Sequence, residues 1–64
     1  MSTDLLKYLS KKIQEELRVI EEDTAMGKAE DFGAYKYACG IYRGLLMANN
    51  LLMETAQRME QDDE

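Results

Sequence analysis

The fold is decided by residues 34–59, AYKYACGIYRGLLMANNLLMETAQRM, in which apolar side chains recur at helical spacing without an interrupting proline. At about 100° per residue, one apolar stripe holds Ala34, Ala38, Ile41, Leu45, Ala48, Leu52 and Met59. A second stripe beside it holds Tyr35, Tyr42, Leu46 and Met53, with Asn49 near the border. Together the stripes cover about half of the helix surface, whereas the seam that meets one partner helix is narrower. The stretch therefore predicts a long helix that packs against more than one neighbour.

The flanking sequence completes a helical hairpin. A first amphipathic helix is predicted over about 3–24, with Ser2 or Thr3 as its cap, because apolar residues recur there at spacings of three and four: Leu6, Leu9, Ile13, Leu17 and Ile20. Gly27 suits a left-handed helix stop, which places the turn at about 25–29. The second helix is predicted over about 30–60, and an acidic tail follows at 61–64. The predicted fold class is all-α, a single antiparallel hairpin of two long helices, the second longer.

The two stripes of the second helix receive different partners. The apolar stripe of the first helix is narrow, so this helix can cover only one of the two stripes. We assign the stripe of Ile41, Leu45 and Leu52 to the contact with the first helix. The other stripe is assigned to an intermolecular interface formed by Tyr35, Tyr42, Leu46, Asn49 and Met53. An Asn in an apolar seam specifies register or oligomeric state; the alternative is a simple boundary residue. A chain of 64 residues buries only about 60% of its unfolded surface, so we expect oligomerisation or a partner to complete the fold.

Glycines inside the second helix allow two interpretations. Gly40 and Gly44 are four residues apart, the spacing at which small residues let another helix backbone approach closely. They are therefore candidates for close helix packing. The alternative is a break in the helix near Gly40.

Composition excludes several kinds of chemistry. The chain has no His and a single cysteine, Cys39, so a Cys/His zinc site or a histidine-based triad cannot form within it. We therefore expect no catalytic residue, metal, cofactor or small-molecule substrate, and we interpret Cys39 as a small buried hydrophobe. The net charge of −5 disfavours direct nucleic-acid binding. The N-terminus lacks the pattern of a signal peptide, and the apolar runs are too short for a membrane span.

Three consecutive acids lie near the end of the first helix. Glu21, Glu22 and Asp23 oppose the helix dipole there, and a basic partner would relieve the repulsion. They are candidate acidic docking residues, with ordinary solvated charge as the alternative.

Residues 31–45, DFGAYKYACGIYRGL, resemble a pattern found in short, mostly uncharacterised helical-hairpin proteins of tailed bacteriophages. The pattern reads Asp-aromatic-x-x-Tyr-Lys and then Cys-Gly-x-x-Arg-Gly-Leu. The resemblance implies a particle component or an assembly accessory, located in the virion or the host cytoplasm, and it carries no catalytic residues.

Two functions follow as expectations. The first is a non-enzymatic phage structural or assembly protein that binds itself or docks on a larger virion component such as a portal, adaptor or tail protein. The alternative is an acidic phage regulatory protein that binds and inhibits a host nucleic-acid enzyme.

Overall fold

The computed structural model describes residues 3–62 and contains two helices, α1 (Thr3–Ala25) and α2 (Phe32–Asp62). The helices pack side by side in opposite directions and form a rod of 51 × 15 × 13 Å. The predicted all-α helical hairpin, with the second helix the longer, is confirmed. The candidate cap Ser2 and the tail residues Asp63 and Glu64 lie outside the described residues.

The turn begins with a Schellman motif at the end of α1. Gly27 has a positive φ of 73°, as its place in the sequence predicted. Its N–H donates to the carbonyl of Thr24 at 3.1 Å, and the N–H of Lys28 donates to the carbonyl of Asp23 at 3.0 Å. These two bonds satisfy carbonyls that the helix end would otherwise leave unpaired. Gly27 therefore stops α1 and reverses the chain.

Asp31 caps the N-terminus of α2. Its Oδ1 accepts a hydrogen bond from the N–H of Ala34 at 2.7 Å, the bond that an N-cap side chain makes. The sequence predicts that the second helix begins at about residue 30, with Asp31 inside it, but α2 begins at Phe32, the residue after Asp31. A short aspartate side chain reaches the unpaired N–H groups from the cap position, and this sets the start of α2.

The helices meet along one seam with coiled-coil spacing. The buried and half-buried residues of α1 in this seam are Leu6, Ser10, Ile13, Leu17 and Ile20, and those of α2 are Ala38, Tyr42, Leu45, Asn49, Leu52, Ala56 and Met59. The spacing alternates between three and four on both helices, the pattern of a heptad repeat. We call this set the covered seam.

The covered seam corrects part of the stripe assignment. Leu45 and Leu52 face α1 as expected, but Ile41 is 41% exposed and Leu9 is 40% exposed. Ser10 takes the place expected of Leu9 and is only 1% exposed. Apolar character alone favours the leucine, whereas the heptad register of the paired helices turns the serine inward.

α2 continues unbroken through Gly40, so the alternative of a helix break is wrong. A Cβ added at Gly40 or Gly44 would meet no atom within 4 Å. The two glycines therefore make no close helix packing inside the hairpin, and the surface around them is open.

Candidate protein-interaction site

A hydrogen-bonded polar layer crosses the middle of the covered seam. The buried hydroxyl of Ser10 donates to Oδ1 of Asn49, and Nε2 of Gln14 donates to Oγ of Ser10 at 3.0 Å. A polar pair in an apolar seam fixes the register of the helices, because a shift would leave buried polar atoms unpaired. Asn49 therefore specifies register within the hairpin, and its assignment to the intermolecular interface is corrected.

Tyr42 also faces α1. It is half-buried, and its hydroxyl donates to Oε2 of Glu21 at 2.6 Å. This hydrogen bond to the carboxylate, together with partial desolvation, raises the pKa of Tyr42. Its assignment to the outward interface is likewise corrected, because the phenol reaches across the helix pair to α1.

One flank of the hairpin carries a shallow groove of about 380 Å³ between Ile20 and Glu21 of α1 and Tyr35, Cys39 and Tyr42 of α2. Cys39 is exposed at its rim rather than buried as expected. The neighbouring Cys39 thiol raises the pKa of the Tyr35 hydroxyl. The groove is mainly apolar, so it suits an apolar side chain of another protein.

The other three predicted interface residues remain outside the covered seam. Tyr35, Leu46 and Met53 are exposed, and their helical positions place them on the flank that carries the groove. They form a broken apolar row that another protein can contact.

The opposite flank of α2 carries a row that the sequence analysis missed. It consists of Tyr37, Ile41, Gly44, Ala48, Leu51 and Thr55, again at alternating spacings of four and three. Tyr37 is 73% and Leu51 63% exposed. The row lies roughly a quarter turn around α2 from the covered seam. Its heptad spacing is visible in the sequence, which places Ile41 and Ala48 in the stripe that faces α1. Ile41 is exposed, whereas Ala48 is half-buried at the edge of the covered seam.

α1 carries a matching row on the same flank. It consists of Leu5, Leu9, Lys12, Glu16, Val19 and Asp23, also at heptad spacing. Asp23 of this row and Ala34 of α2 line a second groove, which places the two rows on one side of the hairpin. We call the two rows together the open face. It combines exposed apolar side chains with one basic and two acidic positions.

The acidic cluster has partners within the chain. Glu21 accepts the Tyr42 hydrogen bond, and Oδ1 of Asp23 lies 3.2 Å from Nζ of Lys28. Lys28 thus supplies part of the positive charge that was expected from a docking partner. Glu22 is exposed beside them.

Residues 3–62 contain no group of three or more acidic or cysteine side chains arranged to hold a metal ion. Over the same range, neither helix has an apolar stretch long enough to cross a membrane. Comparisons with protein-family models, with curated proteins and with solved structures gave no match.

Proposed function

We propose that this chain is a non-enzymatic bacteriophage structural or assembly protein that binds other proteins through the apolar surface left uncovered by the hairpin. Its partner is a further copy of itself or a larger virion component such as a portal, adaptor or tail protein. The observation that carries the proposal is the imbalance of apolar burial. Among the described residues, thirteen large hydrophobic side chains are exposed, whereas Leu17 and Ala56 are the hydrophobic residues that are buried.

The arrangement of these side chains favours binding over chance exposure. Soluble monomers commonly expose single apolar residues, but large contiguous patches mark interaction sites. Six of the exposed residues form rows along both flanks of α2 at helical spacing: Tyr35, Leu46 and Met53 on one flank, and Tyr37, Ile41 and Leu51 on the other. A partner helix or helix pair is the kind of surface that such rows fit.

The phage assignment is supported by the resemblance of residues 31–45. In the hairpin, Asp31 of that pattern caps α2, and Gly40 and Gly44 lie where a Cβ would meet open space. The resembling residues thus include both a helix-starting signal and the small residues of an uncovered surface. An interaction role accounts for the small residues, and the cap fixes the start of the helix that carries them.

Mass spectrometry of purified particles, combined with deletion of the gene, tests the proposal. We expect either peptides of this chain in mature particles or, for an assembly accessory, a loss of particle formation on deletion. Particles that lack the peptides and still assemble normally without the gene would overturn the proposal.

A further inference from the structure

We infer that the open face binds a second copy of this chain in antiparallel orientation, so that two hairpins form a four-helix bundle with α2 against α2 and α1 against α1. This inference rests on the self-association arm of the proposed function. The occupant of the open face is a second copy of the chain, and the register follows from the pairing of the two rows. Four-helix bundles are a common way for helical hairpins to bury a second apolar face.

The α2 row is complementary to itself when reversed. With a two-fold axis level with Leu46, Gly44 faces Ala48 of the second copy, Ile41 faces Leu51, and Tyr37 faces Thr55. Small residues then meet at the axis, and the helices can approach closely. A Cβ at Gly44 would meet nothing within 4 Å in the single hairpin, so this space is open to the second copy.

The four central residues of the α1 row are complementary to themselves in the same way, whereas the outermost pair sets Leu5 against Asp23, which pairs with Lys28 of its own chain. With a two-fold axis level with Gln14, Lys12 faces Glu16 of the second copy and Leu9 faces Val19. The symmetry produces the Lys12 to Glu16 pairing twice, one on each side of the axis. Opposite charges in facing positions along paired helices set partner orientation.

The hairpin's own register brings the two axes together. Ser10 and Asn49 lie level because they share a hydrogen bond. Four residues further along α1 is Gln14, and four residues back along α2 is Leu45. Gln14 is thus level with Leu45. Leu45 is one residue, or about 1.5 Å along α2, from the position of the two-fold axis at Leu46. A single two-fold axis therefore relates both the α1 row and the α2 row to the same rows of the second copy. The Ser10–Asn49 pair, which sets this level, belongs to neither row.

Charge disfavours the other arrangements. A parallel pairing would set Lys12 against Lys12 and Glu16 against Glu16. Crossing α1 over α2 of the second copy would instead set Lys12 against Ala48 and Glu16 against Gly44, which desolvates both charges without an opposite charge in the second copy. The antiparallel arrangement pairs Lys12 with Glu16 instead.

The exposed area agrees with an unfilled interface. The chain exposes 5240 Å², whereas a compact monomer of 7.4 kDa exposes about 4200 Å². The excess, about 1000 Å², is close to the roughly 800 Å² that each partner contributes to a stable interface. Burial against one second copy would remove an area of this order.

Charge reversal with a matched control tests the register. We expect the wild-type chain to be dimeric at micromolar concentration and Lys12→Glu to weaken the dimer about ten-fold or more by sedimentation equilibrium. Lys11→Glu makes the same charge change outside the open face and should leave the dissociation constant within about two-fold. Lys12 also lies 3.6 Å from Glu15 and four residues before Glu16 in the same helix, so a charge swap within one chain would also restore contacts inside α1. Mixing Lys12→Glu chains with Glu16→Lys chains is decisive, because each variant repels its own copy whereas the mixed dimer pairs opposite charges only if the two positions face each other.

A steric pair of variants tests the face. Gly44→Leu fits the single hairpin, since nothing lies near that Cβ, and it should abolish the dimer because the side chain occupies the small-residue centre. Asn50→Leu adds the same side chain on the exposed back of α2 and should leave the dimer intact. Circular dichroism checks that both variants keep their helices.

The outcomes separate this inference from the proposed function. A wild-type chain that stays monomeric overturns the inference and the self-association arm, while docking on a virion protein is still tested by particle composition. A dimer that tolerates both Lys12→Glu and Gly44→Leu overturns the open face and its register but keeps self-association. Loss of the dimer in both variants, with a dimer formed when Lys12→Glu and Glu16→Lys chains are mixed, supports the inference.

Discussion

The buried hydroxyl of Ser10 donates a hydrogen bond to the side-chain oxygen of Asn49, and this pair sets the level at which α1 meets α2. Ser10→Ala leaves Asn49 without this donor in a part-buried position, so we expect a loss of about 1–3 kcal/mol in the free energy of unfolding. Urea denaturation followed by circular dichroism measures it. The exposed neighbour Asn50, replaced by Ala, should change stability by no more than about 0.5 kcal/mol. Equal effects of the two variants would refute a structural role for the polar layer.

Replacing both partners should cost much less than replacing one. In the Ser10→Ala and Asn49→Leu double variant no buried polar atom is left unpaired, because the exposed Gln14 amide, which donates to Ser10, can bond to water instead. We therefore expect stability near that of the wild type. The register is then less strictly specified, because an apolar layer tolerates a shift. A double variant at least as unstable as Ser10→Ala would contradict this account.

Tyr42 offers a pH-dependent readout of the helix pair. Its hydrogen bond to Glu21 raises the pKa of the phenol above the ordinary value of about 10. Because the folded-state pKa is the higher one, the bond contributes stability fully below about pH 10 and loses it as the pH rises through the folded-state pKa. Glu21→Gln should therefore lower the pKa of Tyr42 in an ultraviolet titration of tyrosine ionisation.

The neighbouring acid supplies the control for that titration. Glu22→Gln removes the same charge from the next position, and we expect a smaller effect on the Tyr42 ionisation because no hydrogen bond is lost. Tyr42→Phe identifies which ionisation belongs to Tyr42. If Glu21→Gln and Glu22→Gln shift that ionisation equally, the hydrogen bond is not the cause.

Gly27 and Gly40 should respond in opposite directions to alanine. Gly27 has a φ of 73°, where a side chain costs about 1–2 kcal/mol, so Gly27→Ala destabilises. Gly40 lies within α2 with open space around it, so Gly40→Ala stabilises by up to about 1 kcal/mol. Thermal unfolding compares the two, and a stabilising Gly27→Ala would show that the turn is not formed as described.

Asp31 should matter more than the acid beside it. Loss of its cap to Ala34 in Asp31→Ala costs about 1 kcal/mol. Glu30→Ala, which also removes one negative charge near the start of α2, should have less effect. Amide hydrogen exchange in the first turn of α2 distinguishes local fraying from a general loss of stability. Unchanged exchange in Asp31→Ala would rule out the cap.

The elements of the fold were predictable because their signals are local. Helical spacing, the absence of proline and a glycine suited to a left-handed stop each act within a few residues, and they predicted two helices around Gly27. Which side chains face the partner helix was not predictable, because it depends on the register between the two helices. Ser10 lies inward and Leu9 outward through that pairing.

The interaction surface was therefore only partly predictable. Tyr35, Leu46 and Met53 are exposed as expected, whereas Tyr42 and Asn49 are taken into the covered seam. An excess of apolar surface follows from composition and length. How the excess apolar surface divides between the two flanks depends on the register that the Ser10–Asn49 layer sets. Asn49 considered alone does not identify that layer.

The mass of the chain in solution tests most directly that the uncovered apolar surface is an interface. Sedimentation equilibrium over a concentration series should give a species of twice the 7.4 kDa chain mass at micromolar concentration, and Gly44→Leu should return it to the mass of one chain. A wild-type chain that sediments as a 7.4 kDa monomer throughout would contradict the self-association claim.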